Sequence, residues 1–325
     1  MTTFTARSAE DVLALVPVVI GFEPEESIVM LTFGARTPFH ARVDLPGPDG
    51  VDVCVECLLA PARQHGVEQV IFVVLSGREA RVRTIARVLE RRFEGAGVRV
   101  IDVIRAHDGR WYSPLGRGGV PAGGVAYDVT DHPFRLAAVV EGRVVAASRA
   151  DLVDSLRPVP EAVASVSDAL DALGAVPDRT PDQALDQALD QIPDGPGLKA
   201  VLDRHLADGT VPGDEEAARI LQAVRDAPVR DHAWFGMQRA DAVHHVRLWS
   251  DLVRRAPTGL VAGAASVLAF AAWTHGDGAL AWCAVDRCLE DDPEHSLGRI
   301  VADALERAVP PLADWARGFP RGLAG

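Results

Sequence analysis

The segment Val70–Leu75 is an unbroken apolar run, Val-Ile-Phe-Val-Val-Leu. A strand with no polar residue on either face is stable only when other elements cover both faces. The run therefore predicts a central strand inside a layered α/β fold. An amphipathic helix pattern, Glu79–Phe93, follows it, and a second apolar strand pattern, Val98–Ile104, comes next.

Further elements of the same layer precede this strand. Ser8–Asp11 has the spacing of a helix capping box, which predicts a helix from about Ala9 until Gly21. Ser27–Phe33 and His40–Leu45 are rich in β-branched and apolar residues, which predicts a hairpin of two strands. Val51–His65 has helical periodicity. We therefore expect an α/β domain with a mixed sheet and flanking helices over residues 1–157.

Helical patterns broken by proline and glycine follow Pro133. The strongest is Leu268–Pro293, two helix patterns joined by the turn Gly276–Gly278. This hairpin resembles a tetratricopeptide unit, and an earlier hairpin is predicted from Glu215–Phe235 with Ala240–Arg255 at nearly the repeat period. A plain helical bundle is the alternative. The sequence predicts an all-α carboxy-terminal domain of either kind.

A flexible boundary is predicted between the two domains. The tetrad Asp182–Leu185 is repeated directly as Asp186–Leu189. A four-residue repeat does not keep one helical stripe for long, so this stretch indicates a tether or short exposed helices. We expect a linker over residues 158–195 and an acidic helical domain over residues 196–325.

Charge is divided unevenly between the two halves. Residues 1–150 hold 17 basic and 18 acidic side chains, whereas residues 151–325 hold 16 basic and 28 acidic ones. A strongly acidic domain is repelled by phosphate backbones, so no nucleic-acid partner is expected. Only one of the 33 basic residues is lysine, Lys199, and it lies in no phosphate-loop, Schiff-base or Ser-Lys pattern.

The cellular compartment is indicated by three features that the sequence does not show: a membrane-spanning run, a secretory signal and a disulfide framework. No apolar run reaches the roughly 18 residues that cross a bilayer, so no membrane partner is expected. Val12–Phe22 follows two acidic residues and contains Pro17, which is not typical of a secretory signal. The four cysteines form no disulfide framework, which fits a reducing compartment. A cytoplasmic location follows as a prediction.

Metal and redox chemistry have few candidates. Cys54 and Cys57 have CxxC spacing, but Asp52 and Glu56 oppose formation of a thiolate there. The pair His244–His245 lacks the HExxH spacing of a zinc site. No GxSxG elbow and no GxGxxG turn after a strand occurs. We therefore predict no metal, no cofactor and no catalytic residue.

One ligand site is predicted in the α/β domain. Ser76 and Arg78 follow the central strand, and α/β sheets commonly bind ligands beyond the carboxyl ends of their strands. Asp44, Arg105 and Trp111 are the other residues predicted to reach this rim. The alternative is ordinary structural pairing among these side chains.

Motifs at both ends of the chain resemble one family, the actinobacterial domain of unknown function 4192. They lie in Leu13–Pro17, Gly21–Ser27, Ala41–Pro46, Arg230–Asp231, Leu248–Trp249, Arg254–Pro257, Gly276–Ala281, Asp292–Pro293 and Val309–Pro311. The resemblance covers nearly the whole chain and implies no activity. Relatives carry a cysteine-containing stretch after the tryptophan that matches Trp111, whereas Leu115–Gly124 has no cysteine. No metal or redox role is therefore implied through that stretch.

Three functions remain as hypotheses. The leading one is a non-catalytic, cytoplasmic binding or scaffold protein that engages a protein or peptide through a groove of the helical domain. Its candidate partner-binding residues are Arg230, Asp231, Trp249, Trp273 and Asp277. The second is an enzyme or sensor for a small anionic metabolite or nucleotide, using the α/β domain. The third is a structural homo-oligomer that associates through an apolar helix such as Leu260–Trp273.

Overall fold

The computed structural model describes residues 5–35, 39–140, 145–174 and 194–311. The chain divides into two compact units. The first, the α/β unit, ends at Asp151 and also includes Arg307–Pro310, and the second, the helical unit, covers Leu152–Glu306. The sequence placed the first boundary slightly later, at residue 157. The repeated tetrads Asp182–Leu185 and Asp186–Leu189 lie outside the described residues.

The α/β unit contains a six-stranded sheet with the strand order β2-β1-β3-β4-β5-β6. The strands are β1 Ser27–Phe33, β2 His40–Asp44, β3 Gln69–Leu75, β4 Arg99–His107, β5 Arg110–Tyr112 and β6 Val125–Ala126. Only β3 and β4 are parallel to each other, and the other neighbours are antiparallel. The sheet is therefore mixed, as the sequence predicted.

Five helices accompany this sheet along the chain, with a single 3₁₀ turn at Pro48–Gly50. They are α1 Ala9–Ile20, α2 Val51–Gln64, α3 Glu79–Gly95, α4 Pro133–Val140 and α5 Arg149–Asp154, of which α5 runs across the division between the units. The predicted capping box begins α1, because Ser8 accepts from the Asp11 amide and Asp11 accepts from the Ser8 amide.

Helices cover both faces of the sheet. On one face, Leu58 of α2 and Ile85 and Phe93 of α3 pack against Phe72 of β3. On the other face, Val16 of α1 packs in a second core with the alternate residues of the same strands. The residues of β3 between its two ends are all buried. The prediction of a central strand covered on both faces is therefore confirmed, because the pleat sends its alternating apolar side chains into two separate cores.

The helical unit contains eight further helices among the described residues. They are α6 Pro160–Gly174, α7 Gly195–Asp208, α8 Asp214–Ala223, α9 Ala227–Trp234, α10 Ala242–Arg255, α11 Val261–His275, α12 Gly278–Asp291 and α13 Ser296–Glu306. The α6 helix lies in the predicted linker and packs against α8 and α10.

The centre of the helical unit is α11, whose residues from Val261 to Thr274 are all buried. Helices α10, α12 and α13 pack around it. Small residues allow this close approach, since a Cβ added at Gly263 would lie 2.6 Å from the carbonyl oxygen of Val224. The apolar stretch Leu260–Trp273, which suggested an oligomer interface, is therefore covered within the chain itself.

The predicted hairpins are partly present. Helices α11 and α12 pack together across Gly276–Asp277, where Gly276 has a φ of 96° and Asp277 caps α12. The earlier hairpin differs, because Glu215–Phe235 holds two helices, α8 and α9, rather than one. Pro228 explains the break, since it stands within the first two positions of α9, where proline is tolerated. The tetratricopeptide likeness stays a prediction.

Among the described residues, no helix combines the length and the apolar character that crossing a bilayer requires.

Candidate functional site

A loop of three residues, Ser76, Gly77 and Arg78, joins β3 to α3 at the carboxyl edge of the parallel strands. The Ser76 amide donates to the Ala106 carbonyl at 3.2 Å, which extends the ladder between β3 and β4 by one residue. The chain then turns into α3, whose N-cap residue Arg78 supplies no side-chain cap. The Glu79 amide donates to the Gly77 carbonyl at 3.0 Å, so the amides of Ala80 and Arg81 are the ones in the first turn that lack intrahelical acceptors.

Ser76 is buried and organises the loop through two hydrogen bonds. Its hydroxyl donates to Oε1 of Glu26 at 2.8 Å and accepts from the Arg78 amide at 3.1 Å. The second oxygen of Glu26 lies 3.1 Å from Nε of Arg78. Glu26 thus connects the end of β3 to the start of α3 from the residue before β1.

Arg105 of β4 lies beneath the same loop and is buried. Its Nε donates to the Ser76 carbonyl at 3.0 Å, and Nη2 donates to the Gly77 carbonyl at 3.5 Å. The guanidinium also lies 4.4 Å from the centre of the Tyr112 ring. These contacts hold a permanent positive charge at a fixed place behind the loop.

The remaining charges at this edge come from the first turn of α3 and the end of β4. Nη1 of Arg105 lies 3.9 Å from Glu79, while Arg81 pairs with no other described residue. A Cβ added at Gly77 would lie 2.9 Å from the His107 ring, so the backbone and the imidazole approach closely. We call Ser76, Gly77, Arg78, Arg81, Arg105 and His107 the strand-edge cluster.

Three of the five predicted ligand-binding residues meet in this cluster, namely Ser76, Arg78 and Arg105. The other two lie in the same row of the sheet but are engaged elsewhere. Asp44 is exposed on the outer strand β2 and pairs with Arg42 at 2.6 Å. Trp111 of β5 stands opposite Ala106 and packs into the core beneath α1.

Sequence reasoning missed Glu26 and His107. Glu26 has a φ of 40°, a left-handed conformation that is uncommon for a residue with a side chain. This conformation turns its carboxylate toward Ser76, a residue fifty positions away. No local spacing predicts such a pair, because the register between β1 and β3 sets it. His107 could have been noted as the residue that ends an apolar strand.

The five predicted partner-binding residues lie mainly inside the helical unit. Trp249 and Trp273 are buried, and Asp277 accepts from the Leu280 amide at 2.9 Å as the cap of α12. Arg230 is buried and its Nη2 donates to Asp231 at 2.9 Å. Direct contact of either tryptophan with a partner would require this core to open. Their binding role stays a prediction.

The Arg230–Asp231 pair belongs to a larger polar group. Trp234 donates to Asp231 at 2.9 Å, and Nη1 of Arg230 lies 3.2 Å from Nε2 of His295. Burial, helped by the charge of Arg230, lowers the pKa of His295, which keeps the imidazole neutral beside the guanidinium. These contacts join α9 to the start of α13, which gives the Arg230–Asp231 pair a structural role.

Neither the cysteines nor the histidine pair forms a metal cluster. Burial raises the pKa of the Cys54 thiol to about 11, and Cys57 adds to the shift, so this thiol stays protonated at neutral pH. His245 is buried while His244 is exposed. No group of three or more potential metal ligands occurs in the part of the chain that the structure describes.

Together, these features define a two-unit protein in which an α/β unit presents a charged strand edge and a helical unit follows. The chain belongs to the family described as Domain of unknown function (DUF4192), whose family model matches residues 10–312. The match names no source organism, so actinobacterial origin stays a prediction. Neither a curated protein nor a solved structure matches this chain.

Proposed function

We propose that the α/β unit binds a small phosphate-bearing metabolite at the strand-edge cluster. The observation that supports this proposal is the convergence of Ser76, Arg78 and Arg105 beyond the carboxyl ends of β3 and β4, at the start of α3. Ligands of open α/β sheets bind in this position. The Ala80 and Arg81 amides in the first turn of α3 suit an anion there, and arginine suits a phosphate.

The balance of charge at the cluster favours an anion. Arg78 lies beside Glu26 and Arg105 lies near Glu79, and Arg81 adds a third guanidinium in the first turn of α3. The Arg78–Glu26 pair is exposed, with 59% and 48% of the two side chains accessible to solvent. Exposed pairs of this kind contribute only about 0–1 kcal/mol, so a phosphate dianion can displace Glu26 from Arg78. Arg105 stays fixed by its backbone contacts and needs no rearrangement.

Such a ligand is expected to raise the unfolding temperature of the α/β unit. Binding at one hundred times the dissociation constant stabilises a folded state by about 2.7 kcal/mol. Inorganic phosphate, AMP, ATP and a sugar phosphate form a suitable panel for thermal-shift and calorimetric titration. Arg78→Ala and Arg81→Ala should each weaken binding about tenfold, because each removes a positive charge from the start of α3.

Arg87→Ala is the matched control for this titration. Arg87 lies on the exposed side of the same helix, beyond the first turn, so its loss removes the same charge away from the cluster. Its affinity should equal that of the wild type within a factor of about two. The proposal fails if the panel leaves the unfolding temperature unchanged, or if Arg78→Ala binds as tightly as the wild type. Phosphorylated metabolites also agree with the predicted cytoplasmic location.

A second candidate function is recognition of a protein or peptide by the helical unit. The observation that favours it is Phe235, which is 57% exposed directly after α9. A large exposed aromatic side chain is typical of a binding anchor. Residues 151–325 carry 28 acidic against 16 basic side chains, which suits a basic partner segment. A tetratricopeptide-like groove would be one form of this surface.

Phe235→Ser should abolish partner capture by the full-length protein from its native host, because it removes the exposed ring. Ile300→Ser is the matched control, since Ile300 is an exposed apolar residue on another helix, α13. Quantitative mass spectrometry of captured proteins should show partners lost from the first variant and kept by the second. Equal capture by both variants would remove Phe235 from the binding surface.

A further inference from the structure

The loop between α7 and α8 places a hydroxyl, an imidazole and a carboxylate in line. Helix α7 ends at Gly209 in a left-handed conformation, with a φ of 64°, and Thr210 follows at once. The Thr210 hydroxyl lies 2.8 Å from Nδ1 of His205. Nε2 of the same ring lies 2.6 Å from a carboxylate oxygen of Glu216, in the first turn of α8. The three side chains thus form one continuous hydrogen-bonded chain.

The carboxylate determines which ring nitrogen carries the hydrogen. Burial alone would raise the pKa of Glu216, but the hydrogen bonds from His205 and Arg204 outweigh it and lower that pKa. An ionised Glu216 only accepts, so the neutral ring keeps its hydrogen on Nε2. Nδ1 is then an acceptor, and the Thr210 hydroxyl donates to it. A general base with this tautomer removes the proton of a nucleophilic hydroxyl.

The Thr210 hydroxyl, at one end of this hydrogen-bonded series, is accessible to solvent, whereas the His205 ring is enclosed. Thr210 is exposed, whereas His205, in the last turn of α7, is buried. The residues that line the surface depression at this point are His205, Leu206, Gly209, Thr210, His244, Arg247 and Leu248. Arg247 is exposed and pairs with no other described residue. An exposed guanidinium and the Thr210 hydroxyl therefore line the same depression.

We propose that Thr210, His205 and Glu216 form a nucleophilic relay that accepts an acyl group from a small ester, and that Arg247 binds an anionic group of that ester. Thr210 and His205 are the catalytic residues, and Glu216 is a positioning residue that fixes the tautomer of His205. This activity belongs to the helical unit and does not depend on the strand-edge cluster.

The proposed step balances as an ordinary acyl transfer. The Thr210 oxygen forms a bond to the ester carbonyl carbon as its proton passes to Nδ1 of His205. The bond to the leaving alkoxide or phenolate breaks, and that group departs with the electron pair. A basic leaving group takes the proton from His205, and after loss of a weakly basic phenolate His205 gives that proton to solvent. Water then attacks the acyl-threonine with His205 as base, and the proton returns to the Thr210 oxygen.

Two matched esters provide the test. Mono-4-nitrophenyl terephthalate carries a carboxylate that cannot reach its own ester, and 4-nitrophenyl benzoate is its neutral counterpart. With the full-length protein, we expect an initial burst of one equivalent of nitrophenolate followed by slower turnover, and an acyl adduct on the peptide that contains Thr210. Thr210→Val should lower the acylation rate about 100-fold, whereas Thr210→Ser keeps it.

The other residues have distinct expected effects. Glu216→Gln should lower the acylation rate constant on the order of 100-fold with an unchanged half-saturation concentration, because the amide lets the ring adopt the wrong tautomer. If Glu216 only held the loop in place, its substitution would not lower the rate constant while leaving the half-saturation concentration unchanged. Arg247→Ala should remove about a tenfold preference for the acidic ester while leaving the reaction with the benzoate unchanged.

Thr84→Val is the control for nonspecific labelling, since Thr84 is an exposed threonine on α3. Circular dichroism confirms the fold of each variant. The proposal is overturned if neither ester acylates the protein, if the adduct lies on a residue other than Thr210, or if Thr210→Val reacts at the wild-type rate. Loss of phosphate binding at the strand edge leaves it intact, so the two proposals fail separately.

Discussion

Trp249→Ala is expected to destabilise the helical unit by about 3–5 kcal/mol without any partner present. Trp249 is 0% exposed and is among the largest fully buried side chains of the described residues. Its truncation leaves a cavity between α10 and its neighbours that the packed helices fill only partly. Equilibrium unfolding in urea, followed by far-ultraviolet circular dichroism, measures this loss through the helical signal.

Trp249→Phe separates packing from hydrogen bonding at the same position. The indole nitrogen of Trp249 is buried with no hydrogen-bond partner among the described residues. Removing this unsatisfied donor offsets part of the lost volume, so we expect a cost below about 1.5 kcal/mol. If Trp249→Ala unfolds at the wild-type denaturant concentration, the side chain does not support the core. Its predicted role in partner binding would then become the better explanation.

The secondary structure of the α/β unit follows largely from local patterns. The apolar run of β3 has only one stable environment, and the capping box of α1 has one geometry, so both are readable in a single sequence. The sequence predicts one helix where the structure has α8 and α9, because both helices share the same apolar periodicity. The position of Pro228 is the local signal that separates them. Hydrophobic patterns thus predict where helices and strands lie better than they predict how many separate helices a segment contains.

Long-range pairs are the part that the sequence does not predict. The contact between Ser76 and Glu26 depends on the register of β1 beside β3, and a one-residue slip would turn Glu26 away. The nucleophilic relay is different, because His205, Thr210 and Glu216 lie close together in the sequence. Their spacing matches no standard motif, because the left-handed turn at Gly209 is what brings the Thr210 hydroxyl back to the His205 ring.

The tryptophan residues show that the sequence alone also does not distinguish a binding residue from a core residue. A tryptophan in a sequence is equally typical of a helical core and of a binding surface. The sequence assigned Trp249 and Trp273 to a partner, and the structure places both in the core of the helical unit. Phe235, by contrast, is not a candidate from the sequence, although it is a largely exposed aromatic residue among the described part of this unit. Exposure depends on packing between helices, which periodicity alone does not determine.

His245 should make the helical unit sensitive to mild acid. The side chain is buried in α10, and its Nδ1 has no hydrogen-bond partner among the described residues. Burial lowers the pKa of His245 from 6.5 to about 4. The charges that face it oppose one another, because Asp241 and Asp203 raise this pKa whereas Lys199 and His244 lower it. Desolvation therefore determines the direction of the shift.

The depressed pKa fixes the sign of the pH dependence. Between pH 6.5 and pH 4, the unfolded chain binds a proton at His245 that the folded chain does not bind, so stability falls as the pH falls. The slope is about 1.4 kcal/mol per pH unit, and the full loss is on the order of 3 kcal/mol near pH 4. Above pH 6.5 both states are neutral at this position, and the penalty is absent.

His245→Leu keeps the site filled but removes the proton, so its unfolding free energy should decline less between pH 6.5 and pH 4.5 than that of the wild type. Urea denaturation at several pH values measures both slopes, and their difference isolates His245 from His295 and the carboxylates. His244→Leu is the matched control, because it removes an adjacent imidazole that is exposed rather than buried. Parallel slopes for the wild type and His245→Leu would show that water or a structural opening solvates the buried ring, contrary to its place in the core.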